Sequence, residues 1–260
     1  MGLKKNDLVF MHSGVIGLGL LEGGLDTITE AFLEVLSEGL LVVPTFTYSW
    51  CNGESYDPLE TECLSEALGN YSQSAWKDTR FVRSSNPNFS VAALKNEHNL
   101  SMIRRVFDIG DSCFGRKSVF DHMYQLTEEM AGYILLLGGA HSDAVFRTAF
   151  MHYVEEKVGV PSRYLKRFYN PDNSDEYVDQ LARFMTEKEF ETVTGENTDK
   201  YSFPIVSDYS LIGRELTKEG IVRNKIFGYS ETRMVSIKIF CDFFEKKIIE
   251  YPDCCVQRKE

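Results

Sequence analysis

A chain of 260 residues with 28 Lys+Arg against 39 Asp+Glu carries a formal net charge of −11. The acid excess argues against general nucleic-acid binding, which needs a basic field to displace counterions, and it is compatible with a cationic small-molecule partner. Hydrophobic residues at 43% and charged residues at 26% exclude a disordered chain and support a sizeable core in one large domain, expected over residues 1–260.

No apolar run approaches the ~20 residues that cross a bilayer. The start, Met1-Gly2-Leu3-Lys4-Lys5, shows no apolar export core, and Gly2 lacks the downstream Ser/Thr of a myristoylation signal. A cytoplasmic location is the resulting expectation. The six cysteines, Cys51, Cys63, Cys113, Cys241, Cys254 and Cys255, include no C-x-x-C pair, so reduced thiols and no metal site are predicted.

Leu8 to Met11 reads as a buried strand followed by a glycine-rich loop; Leu25, Ile28, Phe32, Val35 and Leu36 then recur at helical spacing, and Leu40 to Val43 is a second buried strand ended by Pro44. This order opens an α/β protein. Residues 48–62 read as a long loop of the kind that carries function. Leu64 to Tyr71 suggests a short helix, Phe89 to Leu94 a strand, Leu100 to Phe107 a helix, and Ser118 to Met130 a helix capped by Ser118. Tyr133 to Leu137 is the strongest buried-strand signal, and Ala144 to Val158 has the all-round apolarity of a buried helix.

A basic, aromatic segment, Arg163 to Tyr169, precedes an acidic one. Residues 170–200 hold nine acidic against three basic residues, more than half of the whole-chain excess. With Tyr177, Leu181, Phe184 and Met185 on one helical face, this stretch is predicted as an acidic helical insertion. If it borders the substrate entrance, its charge favours a polyamine. The tail reads strand (203–206), helix (209–218), strand (221–227), helix (232–244).

Three places could carry chemistry. His12, Ser13 and Gly14 end the first strand at a small-residue loop, where backbone N–H groups can hold an anion or cofactor, or where the glycines merely turn the chain. Gly115-Arg116-Lys117-Ser118 precedes a helix and adds positive charge to its free N–H groups, which suits a phosphate; an ordinary cap with solvated charges is the alternative. His152 lies beside Glu155 (i+3) and Glu156 (i+4) on one helix face. A carboxylate against an imidazole fixes its tautomer and raises its basicity, a general-base arrangement, although a structural histidine paired with a glutamate also fits. Two such H-x-x-E motifs would suit a di-metal site, but no other histidine precedes a glutamate at that spacing.

Six strings in order resemble the aminoglycoside 3-N-acetyltransferase family. Phe10-Met11-His12-Ser13-Gly14 running to Gly23-Gly24 resembles its V-H-S-S-L…G-G opening, and Val42-Val43-Pro44-Thr45-Phe46-Thr47 its V-M-P-T-F-T strand end. Val82-Arg83-Ser84-Ser85-Asn86-Pro87 through Ala93 resembles V-R-S-x-H-P-x-x-S-V-A-A, Cys113 to Phe120 resembles C-G-x-G-S-P-L, Ile134 to Gly138 resembles L-L-L-G, and His152-Tyr153-Val154-Glu155 resembles H-L-A-E. Gly14 stands for the second serine of H-S-S, Asn86 for the H-P histidine, Val119 for the G-S-P proline and Lys117 for a glycine. The family's H-D-S after L-L-L-G is His141-Ser142-Asp143 here.

The resemblance implies an α/β fold with a central mixed sheet flanked by helices, unrelated to GNAT acetyltransferases. It implies acetyl-CoA as co-substrate, no metal, and a primary amine on a sugar-like ring as acceptor, with His152 as base and Glu155 orienting it. His12, Ser13, Gly14, Arg83, Gly115, Lys117, Ser118 and Val119 fall on the cofactor side, and backbone N–H groups near Ser13 are expected to meet the oxyanion. Asp57, Asp143 and Glu156 are the candidates for binding the acceptor. The small-molecule amine and CoA are the expected partners, without nucleic acid or membrane and with a homo-oligomer left open. A nucleotide-linked amino sugar is the alternative acceptor, and a ligand-binding module without catalysis the alternative of a different class.

Overall fold

The computed structural model describes residues 1–140, 148–197 and 200–257. In chain order the elements are β1 (Leu8–Ser13), α1 (Asp26–Val35), β2 (Leu40–Pro44), α2 (Ser65–Lys77), β3 (Phe81–Arg83), β4 (Val91–Leu94), α3 (Leu100–Val106), α4 (Val119–Leu126), β5 (Gly132–Ala140), α5 (Phe150–Val158), β6 (Arg163–Asn170), β7 (Asn173–Arg183), α6 (Glu187–Thr194), α7 (Ser210–Lys218), β8 (Arg223–Phe227), β9 (Ser230–Ser236) and α8 (Ile237–Glu250). Seven strands form one mixed sheet in the order β3-β4-β2-β1-β5-β9-β8, and β6 and β7 form a separate two-stranded sheet. The sheet is mixed because β1 runs parallel to both β2 and β5, while β4, β9 and their outer neighbours run antiparallel.

Strand alternation divides the core in two. Leu8, Phe10, Leu40, Val42, Ile134, Leu136 and Val235 face one side, where they pack on Val119, Phe120, Phe150, Ile212 and Phe240 of the helices. Val9, Met11, Leu41, Val43, Leu135 and Met234 face the other, against Ile28 and Phe32 of α1 and Tyr71 and Ala75 of α2. The central strands are covered on both faces, which is why they read as continuous apolar runs.

The strand order switches sides about β1: the connection through α1 leads to β2 on one side, while β5 lies on the other. The carboxyl ends of β1 and β5 therefore flank a topological switch point, where open α/β sheets form ligand crevices. His12 and Ser13 stand at that end of β1, opposite Leu136 and Leu137.

Three predicted elements need correction. Residues 170–200 are not one inserted helix: β7 occupies 173–183 and pairs with β6, and only Glu187–Thr194 is helical. The face assigned to Tyr177, Leu181 and Phe184 is shared out between the two, with Leu181 in the main core and Phe184 in a small cluster with Phe190, Tyr201 and Ile205. Residues 232–236 continue β9, consistent with their Thr and Val content, and the helix starts only after Ser236, whose hydroxyl accepts from Ile239 N. Residues 203–206 form no strand; Pro204 has no N–H to give a ladder.

Candidate active site

His152 sits in the first turn of α5, three residues from Glu155 on the same face. Its Nδ1–H donates to Glu155 Oε2 over 2.9 Å. The Glu155 side chain is 4% exposed, so its charge needs partners within the protein. Tyr209 supplies one, donating its hydroxyl to Oε1 at 3.0 Å. Arg163, the first residue of β6, supplies another: its Nε lies 3.0 Å from Oε2, within ion-pair distance though the N–H is not aimed at that oxygen. Arg163 Nη2 also donates to Tyr209 Oη at 2.8 Å and to Ser207 Oγ at 2.7 Å. The carboxylate is thus held from three directions, and Nε2 is the imidazole nitrogen left for a reactant.

Burial pushes the His152 pKa down, the Glu155 hydrogen bond pulls it up, and the Arg163 charge pushes it down again; the net is below the ordinary 6.5. Burial alone would raise Glu155, but the hydrogen bond from His152 and the Arg163 charge bring its pKa below the usual value. A neutral imidazole beside a charged carboxylate is what a general base requires at neutral pH.

His152 opens on a cleft of about 650 Å³. Its aromatic floor is Tyr48, Phe89 and Phe114, with the Phe114 ring centroid 4.9 Å from that of His152. Tyr48 holds φ +56, a conformation rare for a bulky side chain and one that clusters at functional sites. The opposite wall comes from β6 and β7 with Tyr164, Lys166, Phe168, Gln180 and Arg183. Ties to the body seat this hairpin, among them Gln180 Oε1 accepting from Asn88 Nδ2 at 3.0 Å and, around Asp179, Cys113 N donating to Asp179 O at 2.8 Å and Asp179 N to Asp111 O at 2.7 Å.

The other predicted residues are distributed unevenly. His12 lies near the front of α5, its Nε2 3.2 Å from Thr148 Oγ1, and burial lowers its pKa to about 4, so it is neutral. Gly14 N–H donates to Leu137 O at 2.7 Å, so this donor expected for an oxyanion is engaged. Arg83 is turned onto its own chain: Nη2 donates to Thr45 O at 2.7 Å, Nε to Thr45 Oγ1 and Ser90 Oγ, and Nη1 to Thr61 O.

In the loop before α4, Gly115 N donates to Ser112 Oγ, Ser118 caps Asp121 N, and Val119 is buried. The buried Asp121 carboxylate accepts from Lys117 N at 2.8 Å, so the loop carries its own anion where phosphate contact was expected from the backbone. The exposed Lys117 side chain is what that loop leaves for a ligand.

Of the acceptor candidates, Asp57 is exposed and caps its own turn at Leu59 N. Glu156 accepts from Ser112 Oγ at 2.7 Å beside Gly115, and neither it nor Asp57 lines the His152 cleft. Asp143 lies outside the described residues. Arg163 and Tyr209, which secure Glu155, carried no motif signal; Arg163 was visible only as part of a basic, aromatic run. Tyr48 lay in the long loop flagged as functional, without being singled out.

The family profile described as aminoglycoside 3-N-acetyltransferase matches residues 10–248. Among solved structures, the aminoglycoside acetyltransferase AAC(3)-IVa apoenzyme is 19% identical, with a TM-score of 0.70 over 96% of this chain and 84% of that one. AAC-IIIb in a binary complex with CoASH is 19% identical, TM-score 0.70, over 96% and 92%. AAC-VIa bound to sisomicin is 17% identical, TM-score 0.69, over 95% and 92%. At these identities the likeness establishes the mixed α/β fold. No curated protein matches the chain in sequence.

Proposed function

Because this chain belongs to the aminoglycoside 3-N-acetyltransferase family, we propose that it moves the acetyl group of acetyl-CoA to a primary amine of an aminoglycoside or related amino sugar. The observation that carries this reading is the His152–Glu155 pair at the floor of an open cleft, with the carboxylate anchored by Tyr209 and Arg163.

An alkylammonium of pKa near 10 is almost wholly protonated at pH 7 and cannot attack a thioester. His152, with its pKa lowered, takes the amine proton at Nε2. Glu155 stabilises the resulting imidazolium, and Tyr209 and Arg163 prevent the carboxylate from turning away. Such a base typically contributes ~10²–10⁴-fold in rate. We assign the donor to the switch point at the carboxyl ends of β1 and β5, beside His12, Ser13 and Gly14; His12 links that point through Thr148 to the start of α5. Lys117 is the cation we assign to the CoA phosphates. The donor supplies an acetyl thioester; the chain supplies the base, its orientation and the walls.

The test is thiol release, crossing several acyl-CoAs with aminoglycosides and amino sugars. Acetyl-CoA-dependent release with at least one primary amine is expected. Silence across the whole set refutes the transferase reading and leaves a ligand-binding module.

A further inference from the structure

Two adjacent cysteines near the carboxyl end stand outside the cleft, behind the carboxylate that pairs with His152. Consecutive residues of a strand point to opposite faces, but 252–255 form a turn, with Cys254 N donating to Tyr251 O at 2.9 Å and Val256 N to Asp253 O at 3.1 Å. The turn brings the two free thiols together, Sγ to Sγ 3.6 Å. Cys254 is partly exposed at the wall of a cavity that Leu211 and Glu215 of α7 and Lys247 of α8 also line. Cys255 is 5% exposed and packed in the main core.

This turn is tied to the segment that leads into α7. Asp208 N donates to Cys255 O at 2.6 Å, Gln257 N donates to Val206 O at 3.1 Å, and Ser207 bridges Val256. The same short segment reaches Glu155 with its side chains. Ser207 Oγ accepts from Arg163 Nη2 at 2.7 Å, and Tyr209 Oη donates to Glu155 Oε1 at 3.0 Å. Asp208, which the Cys255 carbonyl holds, therefore lies between the two residues that secure Arg163 and Glu155.

We propose that Cys254 and Cys255 are a redox modification site: a hydroperoxide joins them as a vicinal disulfide, which moves the Cys255 carbonyl off Asp208 and loosens the hold of Tyr209 on Glu155. The consequence for catalysis rests on the acetyltransferase reading; the chemistry at the thiols does not. Cys254 is the more accessible sulfur, and the neighbouring Cys255 S–H favours its thiolate, the attacking form. It attacks the hydroperoxide, the O–O bond breaks, a sulfenic acid forms and the alcohol (or water) leaves. The Cys255 sulfur then attacks that of Cys254, forming S–S, breaking S–O and releasing water with the thiol proton. The two thiols lose two electrons and the hydroperoxide gains them.

The sulfurs must close from 3.6 Å to about 2 Å, in a ring that contains the Cys254–Cys255 peptide. That peptide stays planar, so closure falls on the torsions either side of it, and these set the direction of the Cys255 carbonyl. Neighbouring Cα atoms stand about 3.8 Å apart, short of the about 4.4–6.8 Å span of ordinary disulfides. The bond is therefore strained and readily reversed by a thiol reductant.

The full chain is treated with hydrogen peroxide, and the bond is read by mass spectrometry as loss of two hydrogens from the peptide holding 254–255. Oxidation should speed hydrogen exchange at Asp208 N and Gln257 N. It should also lower kcat for acetylated product by about tenfold or more, with the acetyl-CoA KM little changed, and dithiothreitol should restore both. Cys254→Ser should keep the untreated rate and lose the response, with Cys255→Ser giving the same outcome if the first variant folds poorly. Cys51→Ser, which removes the partly exposed thiol beside Gln180, should retain the response. Treated, folded protein with both thiols free, a disulfide that leaves exchange and rate unchanged, or a response abolished by Cys51→Ser overturns the inference. If the untreated enzyme acetylates no amine, the acetyltransferase reading falls instead, and the mass and exchange measurements still decide the thiol site.

Discussion

Arg163 and His152 meet at one oxygen, Glu155 Oε2, with Arg163 Nε at 3.0 Å and His152 Nδ1 at 2.9 Å. The first residue of the hairpin is therefore electrostatically part of the pair on α5 that we propose as the base and its orienting carboxylate. The two charges act on the imidazole in opposite senses, Glu155 favouring its proton and Arg163 opposing it.

His152→Ala is expected to lower acetyl transfer by about 10²–10⁴-fold while changing acetyl-CoA affinity little. Steady-state rates and calorimetric titration with acetyl-CoA separate the two. Equal loss of rate and affinity would remove His152 from the role of base.

The pH profile follows from the shifted imidazole. The base works deprotonated, so kcat/KM should be flat at neutral pH and fall only as pH drops below 6.5 through the lowered His152 pKa. Arg163→Gln removes a charge that opposes protonation, so the acid limb should move to higher pH. It also leaves a carboxylate that is 4% exposed with less compensation, at a cost of about 3 kcal/mol, readable by urea denaturation. An unmoved acid limb in a folded variant would contradict the coupling.

A Cβ on Gly115 would overlap Glu156 Oε1, which also accepts from Ser112 Oγ. Gly115→Ala is expected to destabilise the fold by about 1–3 kcal/mol. Adding Glu156→Ala should recover most of that loss in thermal melts, because the clash and its relief belong to one pair. Simple additivity of the two losses would show that another contact enforces the glycine.

Lys117 holds φ +62 where the resembling family has glycine. Lys117→Gly should relieve about 1 kcal/mol of backbone strain and raise the melting temperature. If the ammonium meets phosphate, Lys117→Ala weakens CoA more than dephospho-CoA or pantetheine. Unchanged CoA affinity would take Lys117 out of the donor site.

The central strands, α4 with its Ser118 cap, and the i, i+3 spacing of His152 and Glu155 were legible because each depends on local pattern: continuous apolar runs, a hydroxyl before a helix, one helical turn. β7 was misread because Tyr177, Leu181 and Phe184 also fit a helical period, and only pairing with β6 decides between the two. Tyr209 could not be found that way. It lies 54 residues from Glu155 in sequence, and nothing local marks a tyrosine that will donate to a distant carboxylate. Asp57 and Glu156 suggest acceptor binding by charge alone, while the fold directs one to a turn and the other toward Ser112.

The β6–β7 hairpin makes one wall of the cleft yet shares no ladder with the seven-stranded sheet. Exposed positions on it, such as Lys166 and Arg183, can change without disturbing the sheet or the His152–Glu155 pair on α5. Arg163 cannot, since it anchors Glu155 from the hairpin's first position. One wall of the cleft can therefore vary in sequence while the seven-stranded sheet and the His152–Glu155 pair stay as they are.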